Sequence, residues 1–236
     1  MDTYWYISDD KLAFSSEDAA RWRDRLEGKV QLGFVPVGVG AEVGIRPRAD
    51  PTLVEHLHRF ERMVDREHLA PELAEAAVRH PPPSLFRFQG FGARLLENFC
   101  FWVAGASGST GFLLVGSISN AVGGRIDEKD AAAFNSGGPS ADPLGVIGAL
   151  IESRDEPPQT GGSGSVGAII SHLWSVIVLG GTRYIALEDL PSITGIAQYA
   201  GRQRVPDLAW PDEERDLLSG IEGIVVGSPF FVAQSA

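Results

Sequence analysis

Cysteine is almost absent from this chain. Cys100 is the only one in 236 residues, so no intrachain disulfide can form and zinc sites built from several thiolates are excluded. A reducing interior suits such a sequence. Basic residues are scarce as well: 20 Lys and Arg face 31 Asp and Glu, for a formal charge of −11. Affinity for nucleic acid comes largely from Lys and Arg displacing counterions from phosphate, so no nucleic-acid partner is expected. The part after Thr110 is the poorer in cations, with 7 Lys and Arg against 15 Asp and Glu, compared with 13 against 16 up to that point. Long apolar runs are missing too. The most apolar, Val166 to Leu179, falls short of the roughly 20 residues that cross a bilayer and contains His172, so it reads as a buried core helix. The opening Met1-Asp2-Thr3-Tyr4-Trp5-Tyr6 lacks the basic region and apolar core of a secretory signal. The expectation is a cytoplasmic protein with no membrane partner. No metal-ligand spacing, triad signature or nucleotide loop in its proper context occurs, so neither a metal nor a cofactor is expected.

What is present is a globular composition, 44% hydrophobic and 22% charged. The most informative stretch is Ser84 to Gly124, three runs of strand-type residues laid end to end. Phe86 and Phe88 alternate with Arg87 and Gln89; Leu95, Phe99, Phe101 and Val103 share one parity, with Asn98, Cys100 and Trp102 on the other. A period of two over that length predicts pleated sheet. Tyr4 to Ser8 reads as a strand, residues 16 to 28 as a helix, and Lys29 to Ile45 as two strands with a kink or a hairpin near Gly38-Val39-Gly40. Asp50-Pro51 opens a helix whose buried stripe is Leu53, Leu57, Phe60 and Val64. A shorter helix from Pro71 to Arg79 stops before Pro81-Pro82-Pro83, a candidate subdomain seam. Residues 125–140 and 154–165 are polar and rich in Gly, Ser or Pro, as in flaps and linkers, and flank a helix begun by Asp142-Pro143. Further helices are expected at Val166–Leu179, around Ile193–Ala200, and after Trp210-Pro211, where Asp212, Glu213 and Glu214 complement the helix dipole. Ile221 to Gln234 reads as one or two closing strands.

The chemistry-bearing residues are each ambiguous. Gly162-Ser163-Gly164-Ser165-Val166-Gly167 matches a dinucleotide fingerprint, but Pro157-Pro158 and not a buried strand precedes it, which makes it a linker. Gly116-Ser117-Ile118-Ser119-Asn120 follows a strand, yet Ile118 stands where a hydrolase elbow needs serine; Ser117 and Asn120 suit binding of a carboxylate or phosphate. His56 and His58, two apart on a helix, cannot chelate one metal from the same face. His172 is either a hydrogen-bonded core residue or a general base facing a cavity. Arg87, Arg94, Glu97 and Asn98 face either solvent or a pocket. Cys100 reads as buried packing.

The segments Tyr4-x-Tyr6-Ile7-Ser8-Asp9-Asp10-Lys11, Val35 to Ile45, Phe112 to Gly124 and Val225-Val226-Gly227-Ser228-Pro229-Phe230-Phe231-Val232 together resemble a family of actinobacterial cytosolic proteins that share a domain of unknown function. The resemblance implies an α+β fold, with some relatives in defence or specialised-metabolism gene clusters, and assigns no catalytic residue. The residues lead to one α+β domain over 1–236, with a largely antiparallel sheet and helices on one face and at its ends. The function they favour is small-molecule binding, extending to a cofactor-independent enzyme of specialised metabolism. In that reading His172 is the acid or base, Arg87 holds an anionic group, and Trp102, Ser117 and Asn120 line the pocket. The alternative is a non-catalytic sensor or adaptor, acting through a protein partner or a homodimer.

Overall fold

A computed structural model describes residues 3–8, 11–12, 51–97, 100–117, 120–122, 166–182, 189–207 and 209–235. The expected helices at 16–28 and from Asp142, the strands of Lys29–Ile45 and the flap segments 125–140 and 154–165 lie outside them. So do Asp9, Asp10, Asn98, Phe99 and the glycine-rich 162–165.

Strand β1 (Thr3–Ile7) is followed by α1 (Pro51–Arg66) and the one-turn α2 (Leu73–Ala76). The expected meander is formed by β2 (Leu85–Glu97), β3 (Cys100–Ser107) and β4 (Thr110–Ser117). Then come α3 (Val166–Thr182), β5 (Ser192–Arg204), α4 (Asp212–Leu218) and β6 (Gly223–Gln234). The strands form an α+β arrangement in the order β1-β6-β4-β3-β2-β5, and β6 also pairs with β5, which closes a five-stranded barrel. All pairings are antiparallel except β4–β6, which runs parallel from Thr110↔Gly223 to Leu114↔Gly227.

The sheet is largely antiparallel, as expected, but closes on itself, so that helices pack on two outer sides where one face and the ends were expected. Three apolar layers result. Inside the barrel lie Phe86 and Phe88 of β2, Phe101 and Val103 of β3, Phe112 and Leu114 of β4, Ala197 and Tyr199 of β5 and Val225 of β6. A five-stranded barrel is too narrow to leave a channel and must be filled by side chains. Space for the rings comes partly from Gly195, where a Cβ would stand 2.5 Å from Phe88 Cζ. On one outer side α1 presents its stripe of Leu53, Leu57, Phe60 and Val64, as its spacing predicts, with Phe60 stacked on Phe230 at 4.7 Å. On the other, α3 turns Ile170, Trp174, Ile177 and Val178 onto Ala93, Trp102, Ala104, Leu113 and Val115. Trp174 Nε1 donates to Gly105 O at 2.8 Å, fixing the helix against β3. Residues on either side of Pro81-Pro82-Pro83 share these layers: Leu57 packs with Leu85, and Leu73 with Phe86.

Two expectations fail for physical reasons. Ile193–Ala200 is strand and not helix: β5 is paired along both edges and buried on both faces, so no alternation of polar and apolar residues marks it. Leu95 does not share a face with Phe101 and Val103, because the β2–β3 hairpin sets it opposite Trp102, beneath α3.

The two barrel ends differ. α2 closes the end where β2 begins, with Leu73 and Ala76 against the inner rings. At the opposite end β1 wedges in, paired to β6 on one side and bridged to Ala121 on the other. Between its β4 and β1 partners, β6 runs through Ser228 and Pro229, whose carbonyls need donors. Lys11 supplies them: Nζ donates to Ser228 O at 3.0 Å and Pro229 O at 3.1 Å, lies 2.6 Å from Ser228 Oγ, and sits 5.1 Å from the Phe230 ring centre. Burial pulls its pKa from 10.5 down to about 7. The Ser228 hydroxyl accepts from an ammonium or donates to a neutral amine, so either state is satisfied.

Between these two values the unfolded chain binds the proton and the fold does not, so stability attributable to Lys11 rises with pH across that window. In urea denaturation, the unfolding free energy of wild type relative to Lys11→Met is expected to climb by up to about 1.4 kcal/mol per pH unit above pH 7. A difference independent of pH would show that Lys11 stays charged in the fold.

Candidate functional site

A narrow, filled barrel cannot hold a ligand inside, which directs attention to its ends and outer clusters. At the end where α2 packs, Arg202 is engaged with Ala77 O; the end entered by β1 combines polar groups with aromatic rings. A bulge between Tyr4 and Tyr6 leaves Trp5 without a partner on β6 and turns Trp5 and Tyr6 both toward the inner layer, where a regular strand would send one of them out. Tyr6 stacks on Phe101 at 5.0 Å, and Asn120 Nδ2 donates to its hydroxyl at 3.3 Å. Gly116 makes this possible, since a Cβ there would stand 2.5 Å from Tyr6 Oη. Trp5 Nε1 donates to Gln234 Oε1 at 3.2 Å, which fixes the indole.

Over the Trp5 ring, at 5.0 Å, lies the guanidinium of Arg94. Arg94 is on the inward parity of β2, between Gly92 and Leu96, and reaches the rim where it is exposed along part of its length. Partial burial lowers its pKa from the ordinary arginine value. No carboxylate or hydrogen-bond acceptor among the described residues meets it.

The residues singled out from the sequence are not brought together. Arg87 lies on the outward parity of β2 and pairs with Asp65 at the end of α1, while its backbone N–H donates to Pro71 O at 2.8 Å; it ties α1 and α2 to the sheet. Trp102 is buried beneath α3. Ser117 ends β4, in register with Cys100, which is itself buried. Asn120 reaches the barrel end entered by β1, the end at which β4 stops at Ser117. His172 is neither a core residue nor turned into a cavity: its side chain is 58% exposed on the outer face of α3.

His172, Glu214 and Ser175 do form a cluster with the composition of a hydrolytic triad. Its wiring is wrong for one. A nucleophile needs its base in series, serine to histidine to carboxylate. Here Ser175 Oγ at 2.7 Å and His172 Nδ1 at 3.1 Å both meet the same oxygen, Glu214 Oε2, and Ser175 is wholly buried. The cluster pins α4 to α3. Among the described residues no group of three or more His, Cys, Asp and Glu could hold a metal ion, and no helix is long and apolar enough to cross a membrane. Comparisons with protein-family models, with curated proteins and with solved structures find no match to the chain.

The triad-like cluster is expected to be inert. Intact-mass spectrometry after treatment with an alkyl fluorophosphonate should show no adduct on Ser175, and Glu214→Ala should lower stability by about 1–3 kcal/mol through loss of the shared acceptor. Labelling of Ser175 would contradict the structural role.

Proposed function

We propose that this protein binds a small molecule at the barrel end formed by Trp5, Tyr6, Arg94, Asn120 and Gln234. The observation that carries the reading is the β1 bulge. It sets two aromatic side chains, each held by a hydrogen bond, at the mouth of a barrel whose interior is otherwise apolar. Small-molecule sites combine apolar and aromatic walls with a few placed polar groups, and bulges recur beside them because they re-aim side chains. The wiring of Ser175, Glu214 and His172 gives no support to hydrolysis, and the separation of His172 from Arg87 gives none to acid–base catalysis by that pair. Binding is therefore the activity favoured over chemistry. An adaptor acting through a protein partner is the reading it competes with.

Thermal-shift screening of the purified full chain against a metabolite library tests this. A ligand present at about 100 times its Kd stabilises by about 2.7 kcal/mol, which for a chain of this size raises Tm by about 5–10 °C. Trp5→Ala, with its own Tm as reference, should abolish the shift. Failure of every ligand, together with copurification of a defined protein at fixed stoichiometry, would replace this reading with the adaptor.

A further inference from the structure

The barrel end also indicates what the ligand carries. A guanidinium stacked on an aromatic ring uses its π face and leaves its in-plane N–H donors free, in the fork geometry that matches a carboxylate or phosphate. The guanidinium carbon of Arg94 lies 5.0 Å from the centre of the Trp5 ring, and Trp5 is itself held by Gln234. The chain holds 31 Asp and Glu against 20 Lys and Arg, so an acidic partner would be easy to supply. Four of the described arginines have one: Arg66 with Glu67, Arg79 with Glu75, Arg87 with Asp65, Arg215 with Asp212. Arg94 is more buried than a free surface arginine and yet lacks a carboxylate among the described residues. A half-desolvated cation left unpaired is unfavourable unless a bound anion completes it.

We propose that Arg94 anchors the carboxylate of a small organic acid, whose flat apolar body rests against Trp5 and Leu96 at the barrel mouth. This rests on the reading of that end as the ligand site and names the ligand's class. A single guanidinium matches the single charge of a carboxylate better than the nearly doubled charge of a phosphate monoester. The hydroxyl of Tyr6, which accepts from Asn120, and the amide of Gln234, which accepts from Trp5, orient the walls and add no charge.

The test is a titration of the ¹⁵N-labelled full chain with phenylacetate, phenyl phosphate and phenylacetamide, read at the indole N–H of Trp5, whose signal is identified by its loss in Trp5→Phe. Phenylacetate is expected to move that signal and to bind about tenfold or more tightly than the neutral amide. Arg94→Gln should remove this preference while leaving amide binding unchanged, and Arg94→Lys should restore only part of it, since lysine keeps the charge without the fork. The remaining indole signals report whether each variant is folded. Equal binding of phenylacetate by wild type and Arg94→Gln, or tighter binding of phenyl phosphate, would overturn the assignment. If neutral ligands move Trp5 as well as phenylacetate does, the acid anchor fails and the small-molecule site survives; if no probe and no library compound moves it, both fail.

Discussion

The double pairing of β6 is the constraint from which the rest of this structure follows. Its first half runs parallel to β4 and its last residues lie against β1, while β5 pairs along its other edge throughout. Those contacts convert a meander into a closed wall, which removes exposed strand edges and creates an inside and an outside. The inside must then be filled, and five strands leave room only for side chains, here chiefly phenylalanine. The outside is convex and apolar on two sides, so it needs helices on both, α1 over the β1, β5 and β6 side and α3 with α4 over β2, β3 and β4.

A filled barrel moves any binding chemistry to its ends. One end is shut by α2, which turns Leu73 and Ala76 onto the inner rings while Arg202 donates to Ala77 O beside it. The other is shut by β1, whose bulge supplies Trp5 and Tyr6, and whose departure from β6 leaves the Ser228 and Pro229 carbonyls to Lys11. These polar features share one cause. Where a strand joins a barrel part-way along, the backbone ladder is interrupted, and side chains must satisfy what the ladder does not.

The pairing of charged groups separates structural clusters from candidate sites here. Glu214 is buried but accepts from Ser175 and His172, and Arg87 has Asp65; both sets join one element to another. Among the described residues, Arg94 meets only the aromatic face of Trp5. A satisfied group is accounted for by the fold, whereas a cation with no acceptor among the described residues is where a ligand is worth testing for.

Much of the local structure was legible in residue order. The spacing of Leu53, Leu57, Phe60 and Val64 gave α1 and its buried side, the alternation around Phe86 and Phe101 gave the meander, and the acidic Asp212-Glu213-Glu214 marked the start of α4, because each of these signals depends only on near neighbours. Barrel closure, the strand character of β5 and the site were not legible. Arg87 and Arg94 belong to the same strand and the same residue type, and their sequence surroundings gave no reason to prefer the second. Their opposite parities acquire meaning only once β6 has closed the wall, which sends Arg87 out to Asp65 and Arg94 in over Trp5. Residue order by itself determined helix or pleated ribbon wherever a period marks the segment, as it does for α1 and the meander but not for β5, since periodicity is local; the tertiary structure decided which face is interior and which arginine comes to lie over an aromatic ring, since both depend on pairings between residues more than a hundred positions apart.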